Sequence, residues 1–306
     1  MNLRATLALF ALVLAGPFPS AAAPDKPGEI IVASYNIENY LGEESPEEAG
    51  HRHARAKSDK AVAAVTRIIK DIHPDILGVC EMGSPEEFDA FKARLAAEGF
   101  AFTDFEYVKG PDPDRHLALL SRFPIIARQS LPDVSYEMNG LPEKVKRGFL
   151  DVTIRINPAY DLRMVGVHLK SKLTEGENEA LMRRREASLL RRHLEEIMAV
   201  DPEVNLLVYG DFNETRNQPA MQEIFGPRGS SSHLTDLPAH DELGDRWTEY
   251  WRVEDLYSRI DYFLAGPGLI HEIVTDKTKV YRSEYWNEAS DHRPIYTSII
   301  PANRRR

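Results

Sequence analysis

A chain of 306 residues with 42% hydrophobic and 28% charged side chains has the balance of a globular protein with a sizeable core, which excludes a disordered or fibrous polypeptide. Its formal charge of −10 argues against indiscriminate binding to polyanions, because such binding needs a broad basic surface that releases counterions. Cys80 is the only cysteine, so no intrachain disulfide forms and stability rests on packing; the thiol itself is expected to be buried.

The chain opens with Arg4, an apolar run from Leu7 to Ala15, the pair Gly16-Pro17 and a small-residue stretch, Ser20 to Ala23. That layout predicts a signal peptide over 1–23 and an exported protein, periplasmic or extracellular. The run is too short to span a bilayer, which takes about 20 apolar residues. No linker divides residues 24–306, which are expected to form one domain, with no transmembrane segment, acting as a monomer.

Glu29 to Asn36 reads as a first strand whose end carries Ser34, Asn36 and then Glu38. The charged segment from Gly42 to Lys57 reads as a solvated loop, its histidines lacking the fixed geometry of metal ligands. Ser58 caps a helix with Val62, Val65, Ile69 and Ile72 on one face, closed by His73-Pro74. Asp75 to Glu81 is a second strand ending in an acid, and Ser84-Pro85-Glu86 starts a helix that Gly99 ends. This β-α alternation predicts an α/β sheet covered by helices.

Leu117 to Leu120, Phe149 to Ile156 and Leu162 to His168 follow as strands, the second with the alternation of an antiparallel strand. A helix from Asn178 to Val200 buries Leu190, Leu194, Ile197 and Met198; its arginines 183, 184, 185, 191 and 192 read as a solvated face within reach of a substrate anion. Leu206 to Asp211 is an apolar strand that stops in Asp211 and Asn213, two apart and therefore on one side of an extended chain. A turn would explain Gly-Asp-Phe-Asn equally well if it stood alone. An irregular stretch rich in aspartate leads to Ser258 to Leu264, and Ser290-Asp291-His292-Arg293 to a last strand, Pro294 to Ile299.

The strand-end residues Asn36, Glu81, His168, Asp211, Asn213, Asp261, Asp291 and His292 are carboxylates, amides and histidines without clustered cysteine. This set suits a hard cation bound through oxygen: Mg²⁺, with Mn²⁺ or Ca²⁺ as alternatives, rather than zinc.

In these segments the chain resembles the endonuclease/exonuclease/phosphatase superfamily (DNase I-like) over residues 30 to 299. The carriers are Ser34-Tyr35-Asn36-Ile37-Glu38-Asn39, Gly78-Val79-Cys80-Glu81, Leu119 to Ile125, Val167 to Lys172, Gly210-Asp211-Phe212-Asn213, Arg259-Ile260-Asp261-Tyr262 and Ser290 to Pro294. The resemblance implies a four-layer α-β-β-α sandwich, two packed mixed sheets with outer helices. It implies Glu81 as principal metal carboxylate with Asn36 and Asp291 beside it, and His292, oriented by Asp261, acting on the attacking water. Asp211 and Asn213 would place nucleophile and phosphate, and a protonated His168 would donate to a phosphoryl oxygen. Which of Asp211 and His292 takes the proton stays open. Arg122, Lys170 and Lys172 are candidate substrate contacts, and Tyr107 or Asp114 the candidate support of His168.

The implied activity is metal-assisted hydrolysis of a phosphoester, foremost a nucleic-acid phosphodiester. The alternatives are a phosphomonoester or a sphingomyelin-like lipid, with Tyr281, Tyr285 and Trp286 as a membrane contact. Segments 211–215 and 258–261 lack the extended signatures of inositol 5-phosphatases. A non-catalytic binding module should have lost some of these eight residues, and all are present.

Overall fold

In the computed structural model, residues 28–42, 55–172 and 177–303 are described; the leader, His51 and His53, and the terminal arginines 304–306 lie outside them. The first half runs β1 (Ile30–Tyr40), α1 (Asp59–Ile72), β2 (Ile76–Met82), α2 (Pro85–Ala97), β3 (Asp104–Val108), β4 (His116–Ser121), β5 (Ile125–Arg128), β6 (Ser135–Met138), β7 (Leu141–Lys144) and β8 (Leu150–Asn157). The second runs β9 (Tyr160–His168), α3 (Glu177–Val200), β10 (Leu206–Asp211), α4 (Pro219–Phe225), β11 (Thr235–Asp236), β12 (Glu249–Trp251), β13 (Leu256–Ser258), β14 (Asp261–Ala265), β15 (Lys279–Val280), α5 (Trp286–Ala289) and β16 (Ile295–Ile299).

Local signals set the helix ends. The Ser58 hydroxyl accepts from the Ala61 N–H, His73 closes α1 in the left-handed region, and Ser84 and Glu87 form a reciprocal capping box at α2. The strands form two six-stranded sheets, ordered β15-β16-β1-β2-β4-β3 and β11-β14-β10-β9-β8-β5. As its alternation predicts, β8 pairs antiparallel with both neighbours.

Alternation then sorts the side chains into three cores. Ile30, Val32, Ile76, Met164, Leu207 and Phe263 pack between the sheets. Ala33, Tyr35, Leu77 and Val79 face α1 and α2, while Val165, Val167, Val208 and Tyr262 face α3 and α4. The layers are helices, sheet, sheet, helices: the α-β-β-α sandwich. No helix among the described residues is long and apolar enough to cross a membrane.

One close approach sets how near the sheets lie. The buried Tyr209 ring sits so close to Gly78 of the opposite sheet that a Cβ there would lie 1.9 Å from a ring carbon, and one at Gly166 would lie 2.6 Å from its hydroxyl. Cys80 is buried, as its sequence suggests, with Sγ 3.4 Å from the Val167 carbonyl.

Candidate active site

At one edge of the sandwich, β1, β2, β9, β10 and β14 deliver polar side chains to one place. Asn36, Asp211, His168 and Asp261 share the parity of the inter-sheet residues on their strands, so alternation aims them into the gap where the apolar filling stops. Glu81 needs more. By parity it belongs with Leu77 and Val79 on the helix side, but the register shifts between Cys80 and Met82, and Glu81 takes φ +64°. This bulge turns its carboxylate toward Asn36. Glu38, Asn39 and Asn213 also have positive φ, so unusual backbone is concentrated at this edge.

The Asn36 amide nitrogen lies 3.3 Å from Glu81 Oε1, 3.1 Å from Asp211 Oδ2 and 3.4 Å from His292 Nε2. Glu81 Oε2 accepts from the Asn39 N–H at 2.9 Å. Asp211 Oδ1 accepts from the Asn213 N–H at 2.7 Å, and the Asn213 amide donates to Leu169 O at 3.0 Å. His292 Nδ1 meets Asp261 Oδ2 at 2.8 Å, leaving Nε2 facing Asp211 Oδ2 at 3.7 Å. The Ser290 hydroxyl donates to Asn36 O and accepts from the His292 N–H. Thr248 ties the pair down from behind, its hydroxyl accepting from the Asp261 N–H and its carbonyl from the Arg293 N–H.

Charge states follow from burial and neighbours. Burial disfavours a charged His292, but the Asp261 and Asp211 carboxylates outweigh it and hold its imidazole well above the usual histidine range. His168 lies 3.5 Å from Asp211 and 3.8 Å from Glu81. Burial first, then the positive fields of Arg147, His292 and Arg115, hold it well below that range. That direction runs against the protonated donor that the resemblance implies. Nor does a supporting group meet it: His168 Nδ1 has no hydrogen-bond partner among the described residues, and the Tyr107 hydroxyl donates to Gly83 O.

Acids crowd the site. Burial raises Asp291 and Glu38, and repulsion by Glu81 raises both further. Such mutual repulsion is what a divalent cation relieves, and Glu81, Asn36 and Asp291 supply oxygen donors that fit one. Asp211, Asp261 and His292 also bring ligand atoms within 4.8 Å of one another. His292 commits Nδ1 to Asp261, however, which leaves Nε2 as its one ring nitrogen open to a cation or a proton.

The site opens into a cleft of about 460 Å³ whose lining includes Glu81, His168, Asp211, Asn213, Asp291 and His292, with Lys170 and Lys172. Lys170 Nζ pairs with Glu179 at 3.0 Å and Lys172 Nζ with Glu214 at 3.1 Å. Arg122 is elsewhere. β2 and β4 are antiparallel, so Ser121 pairs with Ile76 at the far end of the sheet, and Arg122 meets Asp75 there.

The cleft's other cations, Arg115, Lys146 and Arg147, come from loops without a sequence signal; Arg115 lies 3.5 Å from Glu81 and Arg147 pairs with Asp112 at 3.1 Å. Lys57, from the segment read as solvated, is largely buried and donates to Glu38 O. The β12–β13 ribbon forms one wall, since the cross-strand pairs Glu249 with Ser258 and Trp251 with Leu256 both line the cleft.

The arginine face of α3 is divided: Arg184, Arg185 and Arg192 are exposed, while Arg183 and Arg191 are buried on Glu214 and Ser232. The aspartates of the irregular stretch anchor ion pairs, Asp236 with Arg259 and Asp241 with Arg293. Trp286 packs on Trp247 and Tyr250 and is half-buried, while Tyr285 stays exposed.

Several solved structures share this architecture. The human nocturnin catalytic domain, solved with bound sulfate, matches with TM-score 0.63 at 19% identity, covering 89% of this chain and 94% of that one. Truncated Caenorhabditis elegans TDP2 matches with TM-score 0.57 at 17% identity, covering 90% and 99%. Sphingomyelinase C from Streptomyces griseocarneus matches with TM-score 0.59 at 15% identity, covering 89% and 99%. At these identities the likeness is one of fold. Among curated proteins, no sequence matches the chain. The Endonuclease/Exonuclease/phosphatase family model matches residues 33–292, the stretch that supplies every side chain of the strand-end cluster, and the chain therefore belongs to that family.

Proposed function

We propose that this protein is an exported, Mg²⁺-dependent phosphodiesterase that hydrolyses nucleic-acid phosphodiesters by in-line attack of water. The observation that carries the reading is the convergence of Asn36, Glu81, Asp211, Asp261 and His292 beside a cleft whose lining also includes Arg115, Arg147, Lys170 and Lys172. The acids suit a cation and water, and the basic lining suits a phosphate chain.

Glu81, Asn36 and Asp291 would hold the cation. Bound there, Mg²⁺ would supply neutralisation of a phosphoryl oxygen and of the charge growing on the leaving oxygen. The remaining chemistry belongs to the chain. Asp211 and Asn213 orient water against phosphorus, and Asp211 with His292 forms one proton-handling pair. Asp261 fixes the His292 tautomer through Nδ1. His168, buried beside Asp211 and Glu81, presents its ring to the same oxygens as a hydrogen-bond donor.

The test offers the purified protein plasmid DNA, RNA, bis(p-nitrophenyl) phosphate and p-nitrophenyl phosphate, with Mg²⁺ or with EDTA. Diester cleavage that EDTA and Asp211→Asn both abolish is expected; hydrolysis of the monoester alone would defeat the nuclease reading. Export is checked separately by fractionating cells and sequencing the mature N-terminus.

A second reading, a lipid phosphodiester, has one observation in its favour. The β12–β13 ribbon beside the cleft exposes Val253, Leu256 and Tyr257. Sphingomyelin-containing vesicles therefore join the substrate set, and preference for them over DNA would select that reading.

A further inference from the structure

Behind the basic side of the cleft lies a carboxylate with no part in the chemistry above. Glu186, on the inner face of α3, is wholly buried. Its Oε2 accepts the Lys170 N–H at 2.7 Å, which fixes the chain two residues beyond His168. The groups facing it come from three other elements: Tyr136 from β6, Arg147 and the Lys146 backbone N–H from the segment after β7, and Lys170 from the segment after β9. On its own helix Arg183 is turned away, bound to Glu214 and to Lys170 O. Two of the facing cations, Arg147 and Lys170, line the cleft.

We propose that Glu186 is a positioning residue: it holds the Lys170 segment of the cleft wall, so that its charge sets how strongly this wall attracts a substrate anion. The proposal rests on the anionic phosphoester reading of the cleft. Burial pushes the Glu186 carboxyl up to about 7, against the opposing pull of the Lys170 and Lys146 N–H groups and Arg147. Below that value Glu186 is neutral and adds no negative charge behind the wall; above it the carboxylate offsets part of the wall's positive field. Affinity for an anion of constant charge therefore falls as pH rises through neutrality.

The test follows bis(p-nitrophenyl) phosphate hydrolysis with Mg²⁺ between about pH 6 and pH 8, where the substrate does not titrate. Wild-type KM should rise roughly three- to tenfold, the field of one charge nearby. E186Q should hold KM low and flat, with the change falling on KM rather than kcat. An infrared difference spectrum over the same range should show a buried carboxyl losing its proton in wild type and not in E186Q. A KM slope unchanged in E186Q, or a loss in kcat alone, overturns the proposal.

If wild type hydrolyses no diester, the functional reading fails on its own. Calorimetric binding of inorganic sulfate then decides this one, its Kd rising with pH in wild type and flat in E186Q; a flat wild-type Kd overturns it. Should E186Q not fold, the wild-type infrared band and sulfate Kd must titrate together, and separate midpoints overturn the proposal.

Discussion

Asp211 Oδ2 is the point on which the site turns, lying within reach of the Asn36 amide, His168 and His292. A buried carboxylate so placed does several tasks at once, which is why its neighbours need fixed orientations. Asp261 supplies one of them, a single 2.8 Å contact to His292. Replacing Asp261 by Asn should lower kcat by about two to four orders of magnitude with little change in KM. Steady-state kinetics on a soluble diester check this, and a variant that loses affinity instead would place Asp261 in substrate binding. Asn36, His168, Asp211 and Asp261 were legible in sequence because each is a polar residue bordering an apolar strand segment with inward parity. Arg115 and Arg147 were not, since loops bring them in and their chain neighbours carry no period. Arg122 misled for the converse reason: a basic residue after an apolar strand looks alike at either end of a sheet.

Among the elements, β2 shows how a local irregularity makes a site. A regular strand would put Glu81 against the helices, and the bulge at Cys80–Met82 reverses it. The same strand carries Gly78, which admits the Tyr209 ring. Gly78→Ala should destabilise the fold by about 3 kcal/mol or more through overpacking, measured by urea unfolding, and pairing it with Tyr209→Leu should recover part of the loss. Recovery absent in the double variant would put the strain elsewhere.

A second tie joins β8, β9 and α3. Asp151 is fully buried and binds Arg163 through two bonds of 2.9 and 2.6 Å and His193 at 2.8 Å. Burial would raise its carboxyl, but His193 and Arg163 outweigh that and hold it below the ordinary aspartate value. Its contribution is therefore present above the unfolded value of about 3.9 and is lost as pH falls through the lower folded one. Asp151→Asn should cost about 3 to 5 kcal/mol near neutrality, and the gap to wild type should close in acid. A pH-independent gap would mean that the charge is not what matters.

Over the whole molecule, a chain of net charge −10 brings Arg115, Lys146, Arg147, Lys170 and Lys172 to one cleft, and on the proposed reading these cations draw an anionic substrate against a repelling exterior. KM should then rise as salt goes from about 0.05 to 0.2 M. Lys172→Ala, removing a cleft cation that is 41% exposed, should raise KM a few-fold at low salt and flatten that dependence. Equal salt slopes in the two proteins would remove Lys172 from binding. By itself the sequence determined the α/β class, the main strands and long helices, and most of the acids, amides and histidines of the site, because apolar periodicity and polar strand ends are properties of neighbouring residues. The tertiary structure decided the turn of Glu81, the burial of His168, the exclusion of Arg122 and the cations that line the cleft. Those depend on bulges, burial and loop placement, which arise only when residues far apart in the chain share one volume.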